Sequence, residues 1–134
     1  MRKALAPEHR SHFIRLGSII FEDVLGEKDL KKLNSLQPFS PNSAPLISFL
    51  RHKQLAEIAF ELTGKEPLRI AKIFLGNQVD LQEDQYALCI ALDQGALIYS
   101  QLPSLLLQTE EALVIILTSR YLDPDRHPVV FRRD

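Results

Sequence analysis

The amino-acid sequence predicts an α+β fold, with helices in the first half of the chain and strands in the second half. Within Leu46–Leu62 the apolar residues recur at the spacing of one helix face, whereas beyond Pro67 they alternate with polar residues or form short runs. The run Ala112–Leu117 is rich in β-branched residues and too short for an ordinary helix, so it predicts a strand buried on both faces. With 134 residues, 46% of them hydrophobic and 25% charged, residues 1–134 have the size and composition of a single domain.

The chain is predicted to begin with a helix, a strand and a second helix. Proline suits a first helical turn and glycine a helix end, so the segment Pro7–Leu16 followed by Gly17 predicts a short helix. Ser18–Phe21 predicts a brief strand. The acidic segment that starts at Glu22 leads into a second helix, whose apolar positions are Leu30, Leu33 and, as an optional third, Leu36.

A loop and a longer helical region follow. Gln37–Pro45 contains three prolines together with serine and asparagine, which predicts a loop. The helical stripe Leu46–Leu62 is interrupted at residues 51–53, and this fits either one bent helix or two successive helices. Gly64 suits the left-handed conformation that ends a helix.

The second half predicts five strands separated by turn residues. They are Leu68–Leu75, Tyr86–Leu92, Gly95–Tyr99, Ala112–Leu117 and Val129–Phe131. The leucine-rich segment Leu102–Leu107 has two interpretations, because three consecutive leucines cannot all face one core from a short loop. It forms a buried strand, or it exposes some leucines as a surface that binds a partner.

Charge and hydropathy exclude two classes of partner. The formal net charge of −1 and the pI of about 6.4 provide no basic surface for nucleic acid. Lys31-Lys32 and Arg132-Arg133 are isolated doublets, which are typical of solvated surface charges. The longest apolar run is far shorter than a membrane span, so we expect no membrane partner.

Cys89 is the single cysteine, so the sequence allows neither an internal disulfide nor a thiolate metal cage. Its apolar neighbours favour an inert, buried thiol over a nucleophile. The residues before Glu8 include Arg2-Lys3 and do not form the apolar region of a secretory signal. A cytoplasmic location is therefore expected, with export by a route that reads no cleavable signal as the alternative.

Four segments, taken in order, resemble a known family. His12–Leu25 contains a short helix, an edge strand and an acidic helix, and Leu55–Arg69 contains a helix and a Gly-x-x-Pro-Leu turn. Cys89–Asp93 is a strand that ends in Ala-Leu-Asp, and Glu110–Arg132 contains an acidic turn, an apolar strand, a loop and an arginine. This order resembles the phytanoyl-CoA hydroxylase branch of the iron(II)/2-oxoglutarate-dependent dioxygenases. The resemblance implies that the helices pack on a small double-stranded β-helix of the jelly-roll or cupin type.

The resemblance also shows which side chains are missing. The family holds iron(II) with a His-x-Asp or His-x-Glu motif and a distant histidine, and it leaves open positions for 2-oxoglutarate and oxygen. The corresponding stretches here are Val79–Asp84 and Thr118–Tyr121, and neither contains a histidine. The four histidines of the chain do not begin such a motif; they are His9, His12, His52 and His127. We therefore expect no metal site, no cofactor and no oxygenase activity.

The resemblance places the arginine that binds 2-oxoglutarate at Arg132, or alternatively at Arg126. If the strands close into a barrel, polar residues at strand ends would line its mouth. The candidate ligand-binding residues are Tyr86, Tyr99, Arg120, Tyr121 and Arg132. The alternative is that the tyrosines pack in the sheet with hydrated hydroxyls and that Arg132 forms a surface ion pair.

Two further groups of residues have a functional and a structural interpretation. His9 and His12 lie one helical turn apart beside Glu8, which fits a weak metal pair or an ordinary exposed helix. Asp125-Arg126-His127 contains residue types found in hydrolytic triads. The sequence has no serine in a Gly-x-Ser-x-Gly context, so it does not support nucleophilic catalysis.

Two function hypotheses follow from the sequence. In the first, the protein is a non-catalytic relative of the dioxygenases that binds a small carboxylate or a protein without a metal. In the alternative, it is a small, slightly acidic adaptor or chaperone that escorts secretion substrates. The alternative depends on size, pI and the leucines of Leu105–Leu107.

Overall fold

The computed structural model describes residues 5–22 and 24–133. Within these residues the helices are α1 (Pro7–Leu16), α2 (Glu27–Asn34), α3 (Ala44–His52) and α4 (Leu55–Thr63). The strands are β1 (Ser18–Phe21), β2 (Leu68–Gly76), β3 (Gln78–Asp80), β4 (Gln85–Ala91), β5 (Leu97–Ser100), β6 (Ser104–Leu106), β7 (Ala112–Thr118) and β8 (Val129–Phe131). The predicted α+β class is confirmed, with the helices preceding most of the strands.

The strands form two antiparallel sheets. Six of them make a large sheet in the order β1-β5-β4-β7-β2-β8, and β3 pairs with β6 in a two-stranded ribbon. Strand β2 carries a bulge between Ile70 and Lys72 where it pairs with β7, and a second irregularity where it pairs with β8. Such bulges bend a strand and increase its twist.

Strand β7 contributes to two separate cores, one on each face of the large sheet. Its side chains alternate between the faces, as they do in any strand. Leu113, Ile115 and Leu117 join the helix-side core, which lies between the sheet and the four helices. Ala112, Val114 and Ile116 join the ribbon-side core, which lies between the sheet and the ribbon. The prediction that this strand is buried on both faces is confirmed.

The helix ends follow the glycines, as predicted. Gly17 ends α1 with φ of 81° and Gly64 ends α4 with φ of 71°, both in the left-handed region that glycine adopts without steric cost. The helical stripe of the first half is two helices, which break between His52 and Leu55. Gln54 at this break also has a positive φ, of 60°.

The ends of the second helix and of the loop after it differ from the predictions, and Gly95 and Ala96 precede the strand that was predicted to begin at Gly95. The second helix ends at Asn34, so Leu36 lies beyond it and packs against the helix-side core from the following turn. The predicted loop ends at Ser43, because its hydroxyl oxygen accepts a hydrogen bond from the Leu46 amide and begins α3, with Pro45 in the first turn. Asp23 of the acidic segment and the N-terminal residues 1–4 lie outside the described residues.

The leucine-rich segment forms strand β6, and its side chains are divided between the interior and solvent. Leu107, directly after the strand, is buried in the ribbon-side core, whereas Leu106 is 70% exposed. The segment therefore forms a mostly exposed strand followed by one buried leucine, and the binding of a partner at its exposed leucine stays a prediction. None of the helices in the described part of the chain combines the length and apolar character that crossing a membrane would require.

The turn between β4 and β5 contains a glycine under a tight constraint. Gly95 has φ of 76°, and its carbonyl oxygen accepts a hydrogen bond from the Leu25 amide at 3.2 Å. A Cβ at this position would overlap the Leu25 carbonyl oxygen. The turn therefore fixes the segment before α2 against the large sheet only when residue 95 is glycine.

Candidate functional site

Tyr99, one of the predicted ligand-binding residues, lies in the helix-side core. It is only 2% exposed, and its hydroxyl donates a hydrogen bond to the Leu55 carbonyl oxygen at 2.8 Å. Burial raises the pKa of this hydroxyl well above its ordinary value, so it stays protonated as a donor. The hydroxyl thus ties β5 to the start of α4, and it is already engaged within the protein.

The two stretches in which the resemblance places iron ligands lie side by side. The Thr118 hydroxyl donates to the Asp84 carbonyl oxygen at 3.1 Å, and the Arg120 amide donates to the Thr118 hydroxyl oxygen at 3.2 Å. Tyr86 follows Asp84 closely and is half-buried, and desolvation, with a smaller contribution from the Asp84 charge, raises its pKa. Arg120 and Tyr121 both face solvent, and Tyr121 is 82% exposed.

A buried arginine beside this region was not predicted from the sequence. Arg69 lies in β2, where alternation with apolar neighbours suggests a solvent-facing side chain, yet the structure buries it. Its Nη1 donates to the His127 carbonyl oxygen at 3.0 Å, and its guanidinium lies 5.7 Å from the centre of the Tyr121 ring. Among the described residues its Nε has no hydrogen-bond partner. The sequence carries no signal that distinguishes this arginine from a surface one.

Arg132, the predicted carboxylate-binding residue, is exposed and lines a shallow cleft beside β8. Arg51, Gln54 and Glu57 line the same cleft. The Arg51 guanidinium donates to the Val129 carbonyl oxygen at 2.6 Å, which fixes it at the wall of this cleft. Two guanidinium groups therefore border one cleft.

The space between the large sheet and the ribbon is filled by apolar side chains. The centre of β3 turns Val79 into this space, and the flanking Asp80 is exposed. The other members of the ribbon-side core are Ala87, Cys89, Ile98, Leu107, Ala112, Val114 and Ile116. Cys89 is buried, as predicted, and burial raises the pKa of its thiol to about 12, which disfavours the reactive thiolate. Within residues 5–22 and 24–133, no three His, Cys, Asp or Glu side chains are close enough to hold a metal ion.

Two of the four histidines noted in the sequence, His9 and His127, have structural partners. His9 Nδ1 accepts a hydrogen bond from the Ala6 amide at 3.0 Å, and the ring packs edge-on against Phe21 at 5.3 Å. His127 Nδ1 lies 3.1 Å from the Ile70 carbonyl oxygen. These contacts secure the start of α1 and the loop before β8.

Strand β1 forms one edge of the large sheet, and its outer side is unpaired in the described structure. The Gln101 amide donates to the Gly17 carbonyl oxygen at 2.8 Å, which fixes the phase of the ladder between β1 and β5. Along an antiparallel strand, the backbone N–H and C=O of one residue bond to a given neighbouring strand, and those of the next residue point away from that strand. Ile19 and Phe21 therefore bond to β5, while the backbone groups of Ser18 and Ile20 point outward.

Two surface depressions flank this edge. The first, which we call the apolar groove, has a volume of about 380 Å³ and lies between β1 and the ribbon. Its walls include Ile20, Ile98, Leu105, Leu106, Leu107 and Glu22. The second, which we call the helix-side depression, has a volume of about 490 Å³ and is lined by Glu8, His9, His12, Leu16 and residues 18–20. Ile20, which is 59% exposed, borders both.

These features define an α+β protein with an antiparallel sheet, a filled interior and an open, partly apolar sheet edge. Two solved structures of CT296 from Chlamydia trachomatis are similar to it. One, at 1.8 Å resolution, has a TM-score of 0.70 with 19% identity and covers 90% of this chain and 99% of CT296. The other, selenomethionine-labelled at 2.5 Å, has a TM-score of 0.69 with 19% identity and covers 89% and 99%. At this identity the likeness shows a shared fold alone.

No protein-family model matches the chain, and no curated protein matches it.

Proposed function

We propose that the protein is a non-catalytic relative of the iron/2-oxoglutarate dioxygenases that acts as a binding module without a bound metal. The supporting observation is the content of the space between the two sheets. Iron(II) requires nitrogen and oxygen ligands around open coordination positions. That space holds Val79, Cys89 and Val114, all fully buried, and Val79 belongs to the first of the two stretches in which the resemblance would place iron ligands. In the second stretch, the Thr118 hydroxyl donates a hydrogen bond to the Asp84 carbonyl oxygen.

The architecture also supports the finer fold that the resemblance implies. A jelly roll contains eight strands in two sheets that face each other. The eight described strands lie in two antiparallel sheets that face each other across the ribbon-side core. In this proposal the ribbon is a reduced second sheet, and the double-stranded β-helix has become too small to enclose a ligand.

Titration with iron(II) or manganese(II) in the presence of 2-oxoglutarate tests the proposed loss of catalysis. We expect no saturable metal binding at micromolar concentration and no release of succinate, because the interior offers no ligand set. Asp80→Ala serves as a control for weak binding at the surface, since Asp80 is an exposed carboxylate. Micromolar metal binding together with 2-oxoglutarate turnover would contradict the proposal.

A small carboxylate is one ligand that the module would bind, at the cleft bordered by Arg51 and Arg132. Because Arg132 is exposed, its contact is worth only about 0.2–1 kcal/mol. We expect millimolar binding of citrate or 2-oxoglutarate by calorimetry, weakened roughly 1.4- to fivefold in Arg132→Ala. Arg133→Ala is the matched control, because Arg133 is already paired with Glu66 at 2.9 Å. No heat at millimolar ligand, or equal affinity in both variants, would contradict this role.

The second candidate function is that of a partner-binding adaptor or secretion chaperone. The observation that favours it is the edge of the large sheet, where Ile20 and Leu106 are exposed beside unpaired backbone groups. Isolated exposed apolar residues are common, but a groove with apolar walls at a free strand edge is typical of an interaction site. A strictly monomeric protein that retains no partner from lysate would leave this candidate without support.

A further inference from the structure

The outer edge of β1 presents backbone groups that another strand could complete. The donors and acceptors of Ser18 and Ile20 point away from β5, since Gly17, Ile19 and Phe21 form the bonded positions of that ladder. Proteins usually blunt such an edge with proline, a bulge or an inward-pointing charge. Strand β1 is protected only by its length of four residues, because its sequence Ser-Ile-Ile-Phe contains none of these.

The surroundings of the edge suit the side chains of an added strand. Side chains of an extended segment alternate between the two faces of the sheet. On one face they would enter the apolar groove beside Ile20 and Leu106, and on the other the helix-side depression beside Leu16 and His12. Recognition by strand addition combines these two elements, with main-chain hydrogen bonds for affinity and alternate side-chain sites for specificity.

The charges on the two depressions have one sign. Glu8 lines the helix-side depression and Glu22 lines the apolar groove, and neither lining includes a lysine or arginine among the described residues. His9 and His12 are the other titratable groups of the lining, and His9 accepts a hydrogen bond through Nδ1. A basic side chain beside Glu8 would gain a complementary charge, whereas an acidic one would be repelled.

We infer that the free edge of β1 binds an extended segment of a partner protein by strand addition, with apolar side chains in the apolar groove and basic side chains toward Glu8. This inference rests on the proposed binding function and specifies its ligand. Four residues of strand span about 13 Å, which is enough to pair with a short segment. A stable dimer usually buries roughly 1,200–2,000 Å², and such a short edge suits that contact less well. A second copy of the chain would also bring carboxylates of the same sign to the interface.

The test is binding of a fluorescent ten-residue peptide of alternating valine and lysine, followed by anisotropy. The valines match the apolar groove and the lysines match Glu8. We expect saturable binding that becomes at least tenfold weaker in Ile20→Pro, because this substitution removes an outward amide that β5 does not use. Glu8→Gln should weaken binding about threefold through the lost charge. Leu75→Ala, at an exposed leucine of β2, is the control and should bind as the unchanged protein does.

Two further peptides separate strand addition from simple charge attraction. The same peptide with an N-methyl group on every residue keeps its charge and loses all its backbone donors, so we expect it not to bind. A valine–glutamate peptide should not bind either. The N-methyl comparison uses the unchanged protein, so it decides the question even if Ile20→Pro does not fold.

Several outcomes would overturn the inference. Equal binding of the N-methylated and parent peptides would show that backbone pairing is not involved, and absence of binding would show that the edge does not accept this segment. A protein that is dimeric without peptide and becomes monomeric in Ile20→Pro would show that a second copy occupies the edge. None of these results bears on the metal titration, so the proposed metal-free module would fail separately and by a different measurement.

Discussion

Val114→Asp is expected to destabilise the protein by about 4 kcal/mol at pH 7, because it would place a carboxyl group in the ribbon-side core without a partner. Val114 is fully buried, and the residues around it include Val79, Ala87 and Cys89, which offer no hydrogen-bond donor of useful strength. If the two sheets enclosed an open, hydrated ligand cavity instead, the same substitution would be tolerated. The variant therefore tests whether the interior is filled, on which the proposed function depends.

The effect of Val114→Asp should depend on pH in a defined direction. Burial raises the pKa of the introduced carboxyl in the folded state above the value of about 3.9 that it has in the unfolded chain. Between these two values the folded state binds more protons than the unfolded state, so stability falls as the pH rises. Urea unfolding of the variant and the unchanged protein at pH 4 and pH 7 measures this, and the loss should be smaller at pH 4.

Leu106→Asp is the matched control for this experiment. Like Val114, Leu106 is an apolar strand residue near the ribbon-side core, but it faces solvent. We expect a change within about 0.5 kcal/mol, since surface substitutions rarely exceed this. Equal stability of Val114→Asp and Leu106→Asp would mean that the ribbon does not cover the sheet.

Gly95→Ala is expected to destabilise the protein by at least about 3 kcal/mol, because it combines a left-handed backbone conformation with a steric overlap. The φ of 76° is costly for alanine, and the added Cβ would overlap the Leu25 carbonyl oxygen, which is backbone and cannot rotate away. The turn would have to open and lose the hydrogen bond from the Leu25 amide. The midpoint of urea denaturation measures the effect.

Gly76→Ala provides the comparison for Gly95→Ala. An added Cβ at Gly76 would meet the Phe74 ring at 3.5 Å, which is ordinary contact, and its φ is not in the left-handed region. We expect a change of at most about 1 kcal/mol, with either sign. A similar loss in both variants would show that the conformation of the turn at Gly95 is not the cause.

The elements predicted correctly are those whose signal is local. The end of α1 at Gly17 and of α4 at Gly64 depends on a backbone conformation that few other residues adopt, so a single glycine is informative. Strand β7 was recognisable because a strand covered on both faces has no polar positions. Strand β3 has only one buried residue, Val79, between two exposed polar ones, so its pattern is too short to separate it from a loop.

The candidate site was harder to predict, because it depends on which strands become neighbours. Tyr99 and Tyr86 have similar sequence surroundings, but pairing between β1 and β5 and packing under α4 bury the first and leave the second partly exposed. Arg69 is buried by the loop before β8, which lies 58 residues later in the chain at His127. The free edge of β1 results from the strand order of the whole sheet, which no segment of sequence encodes by itself.

The position of β7 has a consequence for how the native state opens. Its neighbours β4 and β2 shield its amides on both edges, and its side chains take part in both cores. Loss of the ribbon alone would leave the helix-side core intact, whereas separation of β7 would disrupt both cores together. The central hydrogen bonds of β7 thus belong to the global unfolding unit, and the ribbon can behave as a less stable, separate foldon. Amide hydrogens of β7 would then exchange only through complete unfolding, while Cys89 behind the ribbon becomes accessible in the smaller opening.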